Sequence, residues 1–68
     1  MKIIIFGHFV DGFPIMETAH DREQFFTYLA YYERLGGNTI DAINTDGRPA
    51  PSYVKEWLSS HKEVRLES

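Results

Sequence analysis

The run Lys2–Val10, Lys-Ile-Ile-Ile-Phe-Gly-His-Phe-Val, puts apolar residues on both sides of any extended backbone. Its β-branched and aromatic content marks a strand. A strand with one wet face alternates apolar and polar residues, and this one does not. Ile3, Ile5, Gly7 and Phe9 share one face; Ile4, Phe6, His8 and Val10 share the other. Such a strand belongs at the centre of a sheet with cover on both sides. The rest of the chain must supply that cover, or a partner must.

Sixty-eight residues make one domain, 1–68, and leave little material for covering anything. A chain of this length buries only roughly 60% of the surface that its unfolded form exposes. Domains this small usually gain stability from disulfides, a metal or a partner chain. There is no Cys, which excludes disulfides and thiolate metal sites and fits a reducing compartment. Association with another chain is what remains. The hydrophobic fraction of 43% is that of a chain that folds. Ten acidic residues against seven basic give a net charge of −3, which argues against a phosphate-binding or anionic membrane surface. No apolar run approaches the ~20 residues of a membrane span. The N-terminal residues lack the apolar core and cleavage site of a leader, so the sequence predicts a cytoplasmic protein with no membrane contact.

Asp11-Gly12 between two apolar runs predicts a hairpin whose second arm runs from Phe13 to Glu17 or Thr18. Pro14 cannot donate to a ladder, which places that arm at a sheet edge or Pro14 at its start. Asp21 with Gln24 three residues on reads as a helix N-cap and capping box, with His20 and Phe25 able to form a staple around it. Phe25, Tyr28, Leu29, Tyr32 and Leu35 then fall on one helical stripe, widened by Phe26 and Ala30, and Tyr31 lies off it. Gly36-Gly37 ends the helix. Asn38–Asn44 predicts a strand returning beside the first, with one helical turn as the alternative. After the turn around Asp46-Gly47, Ser52 reads as the cap of a second helix whose stripe is Tyr53, Val54, Trp57, Leu58 and His61. Glu63–Glu67 alternates, predicting a short edge strand with Val64 and Leu66 inward. Together these give an α+β fold of order ββαβαβ, with both helices on one sheet face.

No motif carries chemistry. Gly36-Gly37 follows a helix rather than a strand, so it is not a phosphate loop. His20-Asp21 is a candidate general-base pair for a small enzyme or enzyme subunit. A helix pre-cap position accounts for His20 equally simply, and dipole compensation accounts for His61. A metal site from His8, His20 and Glu17 would need three ligands to converge, which their spacing does not require. The sequence therefore predicts no enzyme, metal or cofactor.

Aromatic residues are 15% of the chain, more than one small core easily encloses. Tyr and Trp are enriched where proteins meet. The leading expectation is a non-enzymatic protein-binding module, acting as a homodimer or as a regulator or inhibitor of a larger protein. Its size and charge are those of phage-encoded proteins that block host enzymes or defences. The contact candidates are Tyr31, Arg34, Phe13 and Arg48, the last two at turn tips; Phe13 reads equally well as folding back on its hairpin. The alternative is a single-stranded nucleic-acid-binding domain stacking bases on Phe6 and Phe9, which lacks flanking basic residues.

Overall fold

The computed structural model describes all 68 residues. Six elements follow in the order β1 (Ile3–Phe9), β2 (Pro14–Ala19), α1 (Arg22–Leu35), β3 (Asn38–Asn44), α2 (Ser52–Ser59) and β4 (Arg65–Glu67). They form one four-stranded sheet of order β2-β1-β3-β4, so the strand with two apolar faces lies inside it, as its sequence requires. β1 pairs antiparallel with both β2 and β3, and β4 adds parallel to β3. The ββαβαβ order and the α+β class are those that the residue pattern predicts.

The β1–β2 connection is a three-residue loop. The Gly12 N–H donates to the Phe9 C=O, and the Phe9 N–H donates to the Phe13 C=O, each at 2.8 Å. Gly12 takes φ 93°, the conformation that a tight turn followed by a bulge demands. The Asp11 side chain fastens the loop by accepting the Phe13 N–H. The second Asp-Gly turn is built differently. The Arg48 N–H closes onto the Thr45 C=O, and both Asp46 and Gly47 have positive φ. Asp11-Gly12-Phe13-Pro14 and Asp46-Gly47-Arg48-Pro49 share the order Asp-Gly-x-Pro, and the different build of the two turns makes that a matter of turn chemistry, not of a repeated unit.

α1 begins as its sequence indicates, with Asp21 Oδ1 accepting the Gln24 N–H at 2.8 Å. The return bond of the box reaches one residue further back, from the His20 N–H to Gln24 Oε1. α2 departs from expectation. Pro51, not Ser52, holds the N-cap position, and no side chain caps the helix. Pro51 is fixed at φ −63°, and its carbonyl takes the N–H groups of Val54 and Lys55, so Ser52 is already the first helical residue.

One core forms, on one side of the sheet. Ile3 and Ile5 of β1, Ala19 of β2 and Ile43 of β3 meet Phe25 and Leu29 of α1, Val54 of α2, and Val64. Phe25 is fully buried, with its ring against Tyr53 at 5.8 Å and Trp57 at 6.0 Å, so both helices close on the same face. Leu66 is in register with Ile43 and so faces the core side as expected, but it is 47% exposed, because β4 is a three-residue edge strand with nothing beyond it. The stripe of α1 also loses its last member, Leu35, to solvent.

On the second face of β1, Ile4 and Phe6 are half-buried and His8 is exposed. No helix covers them. Their cover is side chains alone: Phe6 stands between Ala42 and Met16 in register, and Ile4 between Asn44 and Thr18. The β1–β3 register slips between Phe6 and Gly7, leaving Asp41 as the extra residue of a bulge. His8 Nδ1 and Asp41 Oδ2 meet there at 2.7 Å. At Gly7 a methyl group would collide with the Thr39 carbonyl oxygen, which is backbone and cannot swing aside.

Gly7→Ala is accordingly expected to destabilise the chain by more than a surface change would, on the order of 1–3 kcal/mol. Phe25→Ala is expected to cost about 3–5 kcal/mol as a fully buried aromatic. Tyr31→Ala, at an exposed helix position, is expected to stay within about 0.5 kcal/mol. Urea unfolding of the three variants checks this order, and a Tyr31→Ala loss as large as that of Phe25→Ala would contradict the side-chain placement.

Candidate functional site

α1 has two flanks with different duties. Phe26 and Leu29 look toward α2: the Phe26 ring lies 6.2 Å from that of Tyr53, and Leu29 shares a groove with Trp57 and His61. The opposite flank overhangs β2. Tyr28, Tyr31 and Tyr32 line a shallow cavity of about 350 Å³ with Thr27, and Glu17 of β2 forms its floor. Tyr31 is 56% exposed and packs edge-on against Tyr32, with ring centroids 5.1 Å apart. Glu23 lies beside Thr27 and Tyr28 at one end of this flank, and Glu33 and Arg34 border a separate depression with Ala30.

β2 beneath that flank is an edge strand. Antiparallel pairs alternate between bonded and non-bonded residues. The Phe9–Phe13 bond fixes the phase, so Ile15, Glu17 and Ala19 bond to β1. Met16 and Thr18 therefore turn their N–H groups to the free edge, and Pro14, Met16 and Thr18 turn their carbonyls there. Pro14 faces His8, and the donor that it lacks would have pointed outward too. Met16 is 67% exposed.

Glu17 points inward from this edge and is held there. Tyr32 donates its phenolic O–H to Glu17 Oε2 at 2.5 Å. That hydrogen bond first, then burial and the nearby Glu17 charge, push Tyr32 from 10.0 up to about 12.

The predicted contact residues do not share one surface. Phe13 is 70% exposed on the β1–β2 loop. The Val10 N–H donates to the Gly37 C=O, which brings that loop to the end of α1, near Arg34 and on the same end as Tyr31. Arg48 lies in the Thr45–Arg48 turn, beside the start of β1, where Ile4 pairs with Asn44. Six strand residues separate the two ends, about 20 Å. Phe6 and Phe9 are likewise divided: Phe9 packs on Tyr32 on the helix side, 6.2 Å between rings, while Phe6 faces away. They form no common stacking platform.

The histidines are spread out as well. His8 pairs with Asp41, His61 Nδ1 donates to the Trp57 carbonyl at 2.8 Å while its ring stacks on the indole, and His20 is exposed. Asp21 spends its carboxylate on the helix cap, and no three His, Asp or Glu side chains converge on a metal position. No helix is long and apolar enough to cross a membrane. The role of Thr45 escaped the sequence pattern. Fully buried, it donates its hydroxyl to the Arg48 carbonyl at 2.6 Å and its N–H to Glu67, tying the turn to β4. A lone Thr beside Asp-Gly carries no signal of that.

No family model, curated protein or solved structure matches this chain.

The Tyr32–Glu17 bond predicts a pH dependence. Tyr32 holds its proton more tightly in the folded chain than in the unfolded one, so its contribution is complete below pH 10.0 and is lost as pH rises toward about 12. Tyr32→Phe is expected to be less stable below that window and to show a shallower decline through it. Denaturant unfolding from neutral to alkaline pH measures both slopes; equal slopes would show that the bond does not govern Tyr32.

Proposed function

We propose that this chain is a protein-binding module that docks through the β2 edge and the α1 flank above it. The observation that carries the reading is the coincidence of two features on one side. Unpaired strand donors and acceptors lie at Met16 and Thr18, and an aromatic overhang of Tyr28 and Tyr31 stands beside them. A partner adding a strand there gains backbone bonds for register and aromatic contact for affinity. Tyr31 belongs to that surface, and Phe13 stands at its end. Arg34, on a separate depression, and Arg48, at the other end of the sheet, lie outside it. Acting on a larger protein as a regulator or inhibitor is the role that a small acidic chain suits best. Base stacking has less support, since Phe6 is the one aromatic on the uncovered sheet face.

The test compares immobilised wild-type chain with Tyr31→Glu and Arg48→Ala in capture from a lysate of the source cells, read by mass spectrometry. A protein retained by wild type and by Arg48→Ala, and lost at least tenfold with Tyr31→Glu, is the expected result. Equal retention by all three chains, each folded by circular dichroism, would refute the proposed surface.

A further inference from the structure

We infer that the β2 edge pairs with β2 of a second copy of this chain, antiparallel, about a two-fold axis passing between the two Met16 residues. This rests on the docking reading above: in the isolated chain, a second copy takes the edge that a larger partner would displace it from.

Backbone and charge together select the register. Antiparallel edges pair through residues whose N–H and C=O groups point outward, here Pro14, Met16 and Thr18. An axis at Thr18 would set Met16 opposite the partner's His20, whose N–H is already given to Gln24. An axis at Pro14 would set two residues without N–H groups against each other. An axis at Glu17 would pair each Met16 with the partner's Thr18 through as many bonds, but it would set the two Glu17 side chains directly opposite each other. An axis at Met16 leaves none of these conflicts. Each Met16 N–H then meets the carbonyl of the partner's Met16, and each Thr18 N–H meets the carbonyl of the partner's Pro14. The missing donor of Pro14 falls at the end of the ladder, where the Thr18 carbonyl is left to water.

Side chains agree with that register. Ala42, Phe6 and Met16 form one row across the uncovered face, ending at the free edge with exposed Met16. Pairing at Met16 joins two such rows into one apolar band spanning both copies. On the helix side Ile15 comes opposite the partner's Glu17, whose carboxylate is already held by its own Tyr32. The two Glu17 side chains fall on a diagonal rather than directly opposite, each hydrogen-bonded to its own Tyr32, and the overhang contributes the rings of Tyr28 and Tyr31. A strand pair alone falls short of the roughly 1,200 Å² that a stable interface buries; the overhang adds side-chain area to it. The axis stands perpendicular to the sheet, so the result is one eight-stranded sheet with all helices on one side.

Edges are usually guarded against this. β4 is guarded: it has three residues, and Arg65 and Glu67 stand on it as an ion pair at 3.4 Å. β2 is guarded less: Pro14 blunts only its first residue, its one charge, Glu17, is hydrogen-bonded under Tyr32, and its six residues include no Lys or Arg.

Light scattering of the full chain up to about 1 mM, the range in which weak pairs form, is the first measurement. The expected mass is twice 7.9 kDa. Met16→Lys, at an exposed position, is expected to weaken the dimer at least tenfold with the fold intact by circular dichroism. Because the chain has no Cys, Met16→Cys is expected to oxidise to a linked dimer, whereas Thr18→Cys, roughly 13 Å from its counterpart, is expected not to. A monomeric wild type overturns self-pairing. So does a dimer indifferent to Met16→Lys, or one linked by Thr18→Cys rather than Met16→Cys. None of these results touches the capture comparison with Tyr31→Glu, on which the docking surface stands or falls separately.

Discussion

The burial of Phe25 is the contact on which the architecture depends. Its ring has no exposed surface, and it meets Phe26 and Trp57 edge-on, Tyr53 at a tilt, and the isoleucines of β1 beneath. One side chain thus holds α1, α2 and the sheet together. With both helices committed to that ring, neither can cross to the other face. A four-stranded sheet covered on one side is the geometric consequence of closing a core this small with two helices.

The uncovered face is managed by cross-strand neighbours instead of a second layer. Phe6 lies between Ala42 and Met16, Ile4 between Asn44 and Thr18, and polar pairs occupy the periphery: His8 with Asp41, Arg65 with Glu67. Such exposed pairs contribute little stability. Their effect is on solubility, because they break the face into small apolar pieces that water tolerates. That is why the opening run, greasy on both sides in sequence, leaves only half-buried rather than bare side chains on this face.

Most of the fold was legible because local signals agreed with one another. The Asp11-Gly12 turn before β2, the Asp21–Gln24 cap, the stripe of α1 and the double glycine after it all pointed to elements now seen. What was illegible depends on neighbours. Leu66 has the pattern of an inward residue, but no element lies beyond β4 to cover it. Ser52 has the chemistry of a cap, but the fixed φ of Pro51 starts the helix one residue sooner. The bulge at Asp41 left no mark in the sequence, and it turns Asp41 toward His8. Of the contact candidates, Tyr31 had its exposure legible from helical spacing alone. The separation of Arg48 from Phe13 needed the strand register, which composition does not contain.

The division of labour at the β2 edge follows from the size of each interaction. The outward N–H groups of Met16 and Thr18 are hydrated in a lone chain, so exchanging water for a partner strand yields only about 1 kcal/mol per bond. Those bonds choose among registers but cannot by themselves hold two chains at micromolar concentration, which needs about 8 kcal/mol after the cost of association. The balance has to come from apolar contact, and on this side of the molecule it is concentrated in Met16, Tyr28 and Tyr31. Glu17 explains why the edge is compatible with such contact. A carboxylate on an edge strand normally repels a second strand, but this one is turned under Tyr32 and hydrogen-bonded there, so the edge presents backbone and apolar side chains rather than charge. The aromatic excess of the sequence and the bareness of the edge are therefore parts of one surface, joined by the Tyr32–Glu17 bond.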